Sequence, residues 1–535
     1  MTTLSPVLTA AEMKACDSHT INSLGIPSQI LMERAARKAA TLLLSRRDLF
    51  PEGEILLLCG SGNNGGDGLA MARFLADGSL GNPRPCRVIY TGRWVDGLPD
   101  PTRMSPECAR QCRMAAEAGV PILPSPAAEE ALKTAAVVVD AVLGVGLDRP
   151  VEGEIAALLT AVAASALPVL AVDIPSGVHA DTGRVMGVAL PAVATATMQA
   201  LKRGLLLYPG ANLCGEICVC ELGIDLAPAA TCARLADEAL LRLALPPRAR
   251  RTHKGTYGWL VLLCGSVGMS GAAVLATRAA LRCGVGLARV LTPPDHQLVL
   301  RATVPEAIVT AYDTPAAAAG FADGDAFVLG CGLGATPFAG ETLKALLELP
   351  HKESPIPMVL DADALNLLAK DPTLWDTAAL RHPQKRVVIT PHPVEMSRLS
   401  GLPVPAILAD PVGVATEYAR QRGVTVVLKD AHTVIASPNG ELYLCAAGNA
   451  GMAKGGSGDV LAGVIGALLT QNGDRVGKEL SVAALSAAGV YLHAAAGDLA
   501  AERLGEYGLL ASDVAECLPL ITRSLSDSRT IITRG

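Results

Sequence analysis

Aromatic residues are scarce in this sequence: Phe, Tyr and Trp make up 3% of the 535 residues. Half of all residues are apolar, so the interior must be filled mainly by Ala, Val, Leu and Ile. The chain is long enough for two or more domains, each with a large core. Because apolar content is high and no low-complexity tract is present, the composition excludes a disordered or fibrous protein.

An excess of basic charge is also lacking. Lys and Arg number 45 against 51 Asp and Glu, which gives a net charge of −6. Nothing in this balance indicates a nucleic-acid or membrane-surface partner. The longest uncharged run, Ile155–Val172, is interrupted by polar residues and a proline, which favours a helix and a short strand over a membrane span. We therefore expect neither nucleic acid nor a membrane among its partners.

A secretory signal is not recognisable in the first ten residues, because no charged segment is followed by an apolar one. The 14 cysteines are accordingly expected to be reduced thiols, and the protein to be cytoplasmic. The spacings of Cys108 and Cys112, and of Cys214, Cys218 and Cys220, match no zinc motif. They are interpreted as small buried hydrophobic residues.

Short apolar strands alternate with helical stretches along the whole chain, which indicates α/β architecture with largely parallel sheets. Many of these strands end in Gly or Asp, at the edge where α/β folds bind ligands. The predicted strands are Glu54–Cys59, Cys86–Thr91, Ala135–Asp140, Val169–Asp173, Trp259–Cys264, Ala288–Leu291, Ala326–Leu329, Met358–Asp361, Val387–Thr390 and Thr425–Leu428.

A change in composition divides the chain between Asp225 and Lys254. An Ala/Pro stretch, a short amphipathic helix, two prolines and four closely spaced arginines follow one another there, which is typical of a linker. We predict an N-terminal domain over residues 1–228, a linker over 229–250 and a C-terminal domain over 251–535.

A glycine-rich segment, Gly60–Gly68, follows the first predicted strand and precedes a predicted helix at Leu69–Ala76. Backbone N–H groups at such a helix start favour phosphate binding. Asn63, Asn64 and Asp67 add side-chain oxygens that suit a cation or a ribose. A tight turn between strand and helix explains the glycines but not the paired asparagines.

Two further strand ends are expected at the same edge of the sheet. Asp140–Pro150 begins with a carboxylate and contains a second glycine loop, and Val172–Gly177 places Asp173 beside Ser176. A lone strand-end Asp is often only a turn or cap residue. Three oxygen-rich strand ends in one domain favour a binding site.

These segments, together with His179–Gly183 and Lys202–Gly210, resemble the NAD(P)H-hydrate epimerase domain over essentially all of residues 10–225. The resemblance implies a Rossmann-like three-layer domain that interconverts the R and S epimers of hydrated NADH or NADPH. It also implies a potassium ion bound by Asn64, Asp140 and Ser176. The substrate-binding residues that it implies are Asn63, Asn64, Gly65, Gly66, Asp67, Gly144, Val145, Gly146, Leu147, Asp148, Arg149 and Pro150, with Asp173. One departure, Ala35–Ala36 where the family usually has Ala-Gly, is expected to affect packing only.

The chemistry of the substrate points to one carboxylate in this domain. A hydrated nicotinamide carries a hydroxyl on a ring carbon bonded to nitrogen, and its epimerisation requires that this oxygen leave and return. A single carboxylate within hydrogen-bond distance can both take and give back the proton. Asp173 is the predicted catalytic residue.

A second glycine-rich segment, Gly451–Asp459, precedes a predicted helix at Val460–Leu469. Its N–H groups suit the charge of a migrating phosphoryl group, and Asp459 at the helix cap could orient or deprotonate an attacking hydroxyl. An ordinary Asp cap after a loop is the alternative, although the long glycine-rich run from Gly448 makes it less favourable. Lys429, at the end of a buried strand, indicates an anionic partner such as a nucleotide phosphate.

The C-terminal strings resemble the ADP-dependent NAD(P)H-hydrate dehydratase of the ribokinase-like superfamily over about residues 250–525. The resemblance implies a ribokinase-like α/β domain that uses ADP with Mg²⁺. A phosphoryl group passes to the ring hydroxyl of the S epimer, and phosphate then leaves to regenerate NADH or NADPH. Catalysis would fall to Asp459, substrate contact to Ala272, Gly334, His392 and Asp459, and nucleotide contact to Lys429, Asp430, Ala431, His432, Thr433 and Gly458.

Two residues depart from the dehydratase pattern: Val394 and Asp430 stand where the family usually has glycine. Asp430 would place a negative charge near the expected nucleotide. The choice of ADP over ATP also follows from the resemblance and not from the residues.

Three functions are compatible with these motifs. The first is a bifunctional repair enzyme acting on hydrated NADH and NADPH with ADP. The second is a ribokinase-like small-molecule kinase with an accessory N-terminal domain. The third is a non-catalytic N-terminal scaffold for nucleotides or RNA ends, against which the intact Asp67, Asp140 and Asp173 argue. The strings Thr390–Glu395 and Lys429–Thr433 favour the first function, and we expect the protein to form homo-oligomers.

Overall fold

The computed structural model describes residues 4–349, 355–473, 475, 479–523 and 525. The chain divides into two compact units, Ser5–Cys232 and Ala233–Gly535, the second including Met1–Leu4. The outer limits of the predicted domains, residues 1 and 535, lie outside the described residues.

The N-terminal unit is built on a sheet of seven strands, in which every pair of neighbours is parallel. The central strands are almost continuous runs of buried aliphatic residues, as expected for a sheet covered on both faces. The strand order is Glu216–Cys220, Ala194–Met198, Val169–Val172, Ala135–Ala141, Glu54–Cys59, Cys86–Tyr90, Ile122–Pro124.

The order of these strands reverses between Glu54–Cys59 and Ala135–Ala141. From the first of them the chain proceeds to one edge of the sheet, and from the second it proceeds to the other. The carboxyl ends of such adjacent strands leave a crevice in which α/β proteins bind ligands. All three predicted oxygen-rich strand ends of this unit lie at or next to that crevice.

Six helices accompany this sheet, with a short parallel pair, Pro6–Leu8 with Leu201–Lys202, and a short antiparallel pair, Trp94–Val95 with Leu98–Pro99. The helices are Ala10–Asn22, Ser28–Ser45, Asn63–Ala76, Pro106–Glu117, Ala128–Leu132 and Gly153–Ala164.

The C-terminal unit has its own large sheet. Neighbours are parallel, except that Thr433–Ala436 runs antiparallel to the strands on both sides of it. The strand order is Ala233–Leu235, Leu442–Cys445, Thr433–Ala436, Thr425–Leu428, Val387–Ile389, Met358–Leu360, Ala326–Leu329, Trp259–Leu263, Leu287–Thr292, Ile308–Ala311.

The order reverses in this sheet as well, between Trp259–Leu263 and Ala326–Leu329. A core of small aliphatic residues lies between the sheet and the helices. The helices are Glu238–Ala244, Ser270–Arg282, Gln297–Thr303, Pro315–Gly320, Pro337–Leu347, Asp363–Lys370, Ala378–Arg381, Pro393–Ser400, Val404–Ala409, Pro411–Arg422, Ser457–Gln471, Val482–Leu504 and Ala511–Arg523.

The segment 229–250, predicted as a linker, contains ordered elements of the C-terminal unit. Residues 233–235 form a strand beside Leu442–Cys445, and the following helix is capped by Asp237, whose carboxylate accepts from the Leu240 N–H at 3.1 Å. Leu240 and Leu241 are buried in the core of that unit. The apolar face of the short helix is thus covered, and the two units meet in sequence at Cys232 and Ala233.

One helix among the described residues, Val482–Leu504, is long and apolar enough by length and composition to cross a membrane. In the fold, 72% of its apolar window is buried inside the protein. Core helices commonly pass the same test, so this one is weak evidence for a membrane span.

Candidate functional sites

A cavity of about 540 Å³ lies at the carboxyl end of the N-terminal sheet, within the usual size range of small-molecule sites. Most of the N-terminal residues predicted to bind substrate line this cavity; Gly65, Gly66 and Pro150 do not. The lining residues among those predicted are Asn63, Asn64, Asp67, Gly144, Val145, Gly146, Leu147, Asp148, Arg149 and Asp173.

The glycine-rich segment of this unit is helical rather than a loop. The helix begins at Asn63, six residues before the predicted start, and the Gly66 N–H donates to the Gly62 carbonyl at 3.1 Å. A Cβ on Gly65 would lie 1.8 Å from the Gly60 carbonyl oxygen, and one on Gly66 would lie 2.7 Å from the Met32 methyl. These glycines let the first helical turns pack closely against the chain, which the sequence pattern alone does not distinguish from a flexible turn.

The three predicted potassium ligands lie together. The buried Asp140 carboxylate accepts from the Ser176 N–H at 2.7 Å and from the Ser176 hydroxyl at 2.6 Å. The Leu143 N–H donates to the Ser176 hydroxyl, and the Asn64 amide donates to the Leu143 carbonyl at 3.0 Å. Asn64 Oδ1 is buried and accepts no hydrogen bond from the described residues. Burial raises the pKa of Asp140 to about 6, although the two donors from Ser176 lower it.

Asp173 follows its strand in an unusual backbone conformation, with φ at +68°. Its Oδ1 accepts from the Lys202 ammonium and from the Met198 N–H, the latter at 3.0 Å. The Lys202 side chain is fully buried and also donates to Thr197 Oγ1 at 3.0 Å and to the Met198 carbonyl at 2.6 Å. The sequence patterns assigned no role to Lys202. A lysine within an apolar stretch was the signal that could have identified it.

Two more carboxyls line the cavity near Asp173. Asp67 comes from the helix Asn63–Ala76 and Asp17 from the helix Ala10–Asn22. Burial, Asp173 and Asp17 raise the pKa of Asp67 well above its usual range, and burial and Asp173 also raise the pKa of Asp17. Sequence reasoning did not single out Asp17. Carboxyl groups in such different environments suit a site that both gives and takes protons.

In the C-terminal unit, Asp459 lies in a cluster of buried acidic groups. Ligand atoms of Cys331, Asp361 and Asp459 all lie within 4.8 Å of one another. Asp361 Oδ1 accepts from the Thr390 hydroxyl at 2.7 Å and from the Lys429 ammonium at 2.8 Å. A Cβ placed on Gly458 would lie 3.3 Å from Lys429 Nζ. The predicted neighbours Lys429, Gly458 and Asp459 are therefore brought together.

The electrostatics of this cluster leave an excess of negative charge. Burial and Asp361 raise the pKa of Asp459 to about 6. Burial raises the pKa of Glu395, which lies 3.9 Å from Lys429 Nζ. Burial lowers the pKa of Lys429, but Asp361 and Glu395 outweigh it and raise that pKa overall. The single ammonium of Lys429 thus interacts with three carboxyl groups. The sequence patterns did not identify Asp361 and Glu395 as members of this site.

Two family models together match most of the chain. Residues 28–204 match "YjeF-related protein N-terminus", and residues 260–520 match "NAD(P)H-hydrate dehydratase". The bifunctional NAD(P)H-hydrate repair enzyme Nnr of Moorella thermoacetica is 36% identical over 99% of this chain and 99% of its own length. The enzyme of the same name from Escherichia coli is 34% identical over 96% of this chain and 93% of its own length.

This chain belongs to the family of bifunctional NAD(P)H-hydrate repair enzymes. A solved structure of the ADP/ATP-dependent NAD(P)H-hydrate dehydratase from Bacillus subtilis, co-crystallised with ATP and Mg²⁺, is 32% identical and covers 55% of this chain and 98% of its own, with a TM-score of 0.47. The predicted fold class is confirmed: a Rossmann-like α/β domain is followed by an α/β domain that matches the dehydratase family.

The helix that carries Asp459 in this repair-enzyme chain begins earlier than predicted. It starts at Ser457, with Gly456 at the cap in the left-handed region at φ +94°. Asp459 is therefore the third helical residue and not the cap. Its carboxylate, beside Cys331 and Asp361, faces the cluster instead of closing the helix end.

His392 has a defined local role. It caps the helix Pro393–Ser400, with its Nδ1 accepting from the Val394 N–H at 3.1 Å, and the Glu395 carboxylate accepts from the His392 N–H at 2.9 Å. Burial and Lys429 lower the pKa of His392. Val394, which stands where the family usually has glycine, occupies an exposed position in this first helical turn. The backbone there does not require a glycine.

The remaining predicted dehydratase residues lie in several different elements of the C-terminal unit. Ala272 is in the first turn of the helix Ser270–Arg282 and packs on Gly332, whose Cβ position would lie 2.8 Å from it. The Gly334 N–H donates to Asp363 at 2.8 Å. Asp430 and Ala431 are exposed between two strands, His432 is partly buried, and Thr433 begins the second of those strands.

Proposed function

We propose that this protein repairs hydrated NADH and NADPH at two sites, an epimerase in Ser5–Cys232 and an ADP-dependent dehydratase in the C-terminal unit. One observation carries this proposal. Each unit holds an acidic side chain among other polar groups of a candidate site, Asp173 in the cavity of the first and Asp459 beside Lys429 and Gly458 in the second. The two activities complement each other, because a dehydratase that accepts one epimer leaves the other unrepaired.

In the epimerase we assign proton transfer to Asp173. The neutral carboxyl gives its proton to the substrate hydroxyl, which leaves as water while the lone pair of the ring nitrogen forms a C=N bond. The resulting carboxylate then takes a proton from the water that adds to the opposite face of that bond, which restores the carboxyl. The segments from Asn63 to Asp67 and from Gly144 to Pro150, most of whose residues line the cavity, are proposed to hold the substrate in place.

A potassium ion fits the residues that are present. Asn64 Oδ1 is a buried acceptor with no donor among the described residues, and it lies beside the Asp140–Ser176 pair. We propose that Asn64, Asp140 and Ser176 hold the ion. A bound K⁺ would supply positive charge that stabilises the ionised Asp140.

Potassium is expected to stabilise the N-terminal unit through this site. At 100 times its Kd, a ligand that binds only the folded state adds about 2.7 kcal/mol, so KCl should raise the Tm above that in NaCl. Asn64→Leu should abolish the difference, whereas Asn63→Leu, at an exposed position one residue away, should retain it. Differential scanning calorimetry in matched salts measures this, and an identical response of the two variants would contradict the assignment.

In the dehydratase we assign the proton of the substrate hydroxyl to Asp459. As that oxygen attacks the terminal phosphorus of ADP, an O–P bond forms, the bond to the AMP leaving group breaks, and Asp459 takes the proton. The N–H groups at the start of the helix Ser457–Gln471 stabilise charge on the migrating group. Phosphate then leaves, the neighbouring ring carbon loses a proton, and NADH or NADPH is regenerated.

Magnesium is consistent with the charge balance of this site. Asp361, Glu395 and Asp459 share one ammonium, that of Lys429. We propose that Asp361 and Glu395 hold the Mg²⁺ that accompanies the nucleotide. The bound ion would supply the positive charge that nucleotide phosphates need in this acidic cluster.

The dehydratase should lose activity in acid. Asp459 must be ionised to act as a base, and its pKa is raised to about 6, so kcat/KM for the S epimer should fall about tenfold per pH unit below that value. Asp363 also raises this pKa, and Asp363→Asn should move the acid limb to lower pH. Initial rates of NADH formation across about pH 5 to 8 check this; a profile that stays flat to the acid end would contradict it.

The proposed function is tested by NADH fluorescence. With ADP and Mg²⁺, the protein should convert a mixed-epimer hydrate completely to NADH, with one phosphate released per molecule; parallel reactions with ATP compare the two nucleotides. A small-molecule kinase would instead accumulate a phosphorylated product without NADH. Failure to form NADH from the pure S epimer with either nucleotide would refute the proposal.

Compartment and assembly remain predictions. All 14 cysteines are free thiols, which supports the cytoplasm as the proposed location. A homo-oligomer is still expected.

A further inference from the structure

Lys202 occupies a position that the proposed chemistry does not yet use. Its side chain is fully buried, whereas that of Asp173 is 14% exposed. A buried ammonium is costly unless its charge is paired and its N–H groups are hydrogen-bonded. Lys202 has a partner for each of its three N–H groups: Asp173 Oδ1, Thr197 Oγ1 and the Met198 carbonyl. Since no N–H remains for a substrate, it can act only through Asp173.

The hydrogen bonds to the Asp173 side chain all end on one of its two carboxylate oxygens. Lys202, the Met198 N–H and, at 3.5 Å, the Thr197 hydroxyl donate to Oδ1, and none of the described residues donates to Oδ2. The backbone of Asp173 has φ at +68°, a conformation that costs energy for a residue other than glycine and that surrounding contacts must maintain. The ion pair therefore fixes one oxygen of the carboxylate and leaves the other for the cavity.

The charges around Asp173 come from several elements. Asp17 on the helix Ala10–Asn22 and Asp67 on the helix Asn63–Ala76 both interact with it unfavourably. The thiol of Cys220, on the strand Glu216–Cys220, is also near both Asp173 and Lys202. Lys202 offsets this negative surrounding.

We propose that Lys202 is the positioning residue of the epimerase, which holds Oδ1 of Asp173 and directs Oδ2 toward the substrate hydroxyl. This inference rests on the proposed epimerase function. It adds that the orientation of Asp173 depends on an ion pair lying outside the glycine loops.

The test compares Lys202→Met with Lys202→Arg, measuring kcat and KM for epimerisation of the pure R epimer. Lys202→Met should lower kcat about 100-fold and leave KM nearly unchanged, because Asp173 loses its orientation while the substrate-binding segments stay intact. Lys202→Arg keeps a cationic donor and should restore most of kcat. Lys133→Met, the same change at an exposed lysine of the same unit, should match the wild type.

Dehydration of the S epimer by the same molecules reports on folding. A loss of kcat in Lys202→Met that Lys202→Arg does not restore, or a rise in KM with kcat unchanged, would show a merely structural role and overturn the inference, as would an unchanged rate. If Lys202→Met does not fold, Thr197→Val carries the test: it removes one acceptor of the ammonium and the hydrogen bond from Thr197 to Asp173 Oδ1. It should lower kcat several-fold with KM nearly unchanged, whereas an unchanged kcat overturns the inference. Failure of the wild type to epimerise would instead refute the proposed function.

Discussion

Asp459→Asn is expected to abolish the formation of NADH from the S epimer, by about 10³-fold or more. The amide cannot take the proton of the attacking hydroxyl, yet it has nearly the same shape as the carboxylate. The change also removes one of the negative charges around Lys429, so the fold should tolerate it. NADH fluorescence with saturating ADP measures the loss.

Two controls separate chemistry from folding in this variant. Interconversion of the R and S epimers by Asp459→Asn should proceed at the wild-type rate, because that site lies in the other unit. Asp376→Asn, the same change at an exposed position of the C-terminal unit, should leave dehydration unchanged. Full dehydratase activity in Asp459→Asn would show that another group serves as the base.

Asp173→Asn is expected to leave only the S half of a mixed-epimer hydrate convertible on the assay timescale. Asn can still accept the hydrogen bond from Lys202, but it cannot exchange a proton with the substrate. The R epimer should then be recovered only at its spontaneous rate. A progress curve of NADH formation should show a fast phase of normal rate followed by a slow one.

The matched control for this change is Asp77→Asn, at an exposed helix end of the same unit. It should give a single fast phase to full conversion. A single fast phase in Asp173→Asn itself would assign epimerisation to a different residue, and Asp67 in the same cavity would be the next to test.

The buried parallel strands were well predicted from the sequence. Each of the ten predicted strands is present, with both ends within one residue of the predicted limits. Short aliphatic runs that end in Gly or Asp have few other interpretations. The strand Ala194–Met198 was missed because Thr195 and Thr197 make it polar; both are fully buried, and Thr195 donates to the Cys214 carbonyl at 2.6 Å.

Helix starts were predicted less well for a physical reason. Glycine weakens a helix locally, so the glycine-rich segments were interpreted as loops. In the fold Gly65, Gly66 and Gly68 of the first segment are helical, and there other parts of the chain pass too close for a side chain, as Gly60 does at Gly65. Such close approaches depend on tertiary packing and leave no local signal.

The sequence patterns predicted some residues of each candidate site. Asp140 and Asp173 follow from the rule that ligands bind at the carboxyl ends of parallel strands. Asp459 follows from a glycine-rich segment at the start of a helix. Lys202 contacts Asp173 across 29 residues and Lys429 contacts Asp361 across 68. Both ion pairs depend on which segments the sheet brings together.

The central claim, two independent sites acting in series on one damaged coenzyme, is tested most directly by mixing the two inactive variants. Pure R epimer and ADP are incubated with Asp173→Asn, with Asp459→Asn, or with equal amounts of both. We expect the mixture to form NADH to completion, since one protein supplies the S epimer and the other dehydrates it. Each variant alone should give no NADH beyond the spontaneous rate. A mixture no more active than the two variants separately would contradict the account.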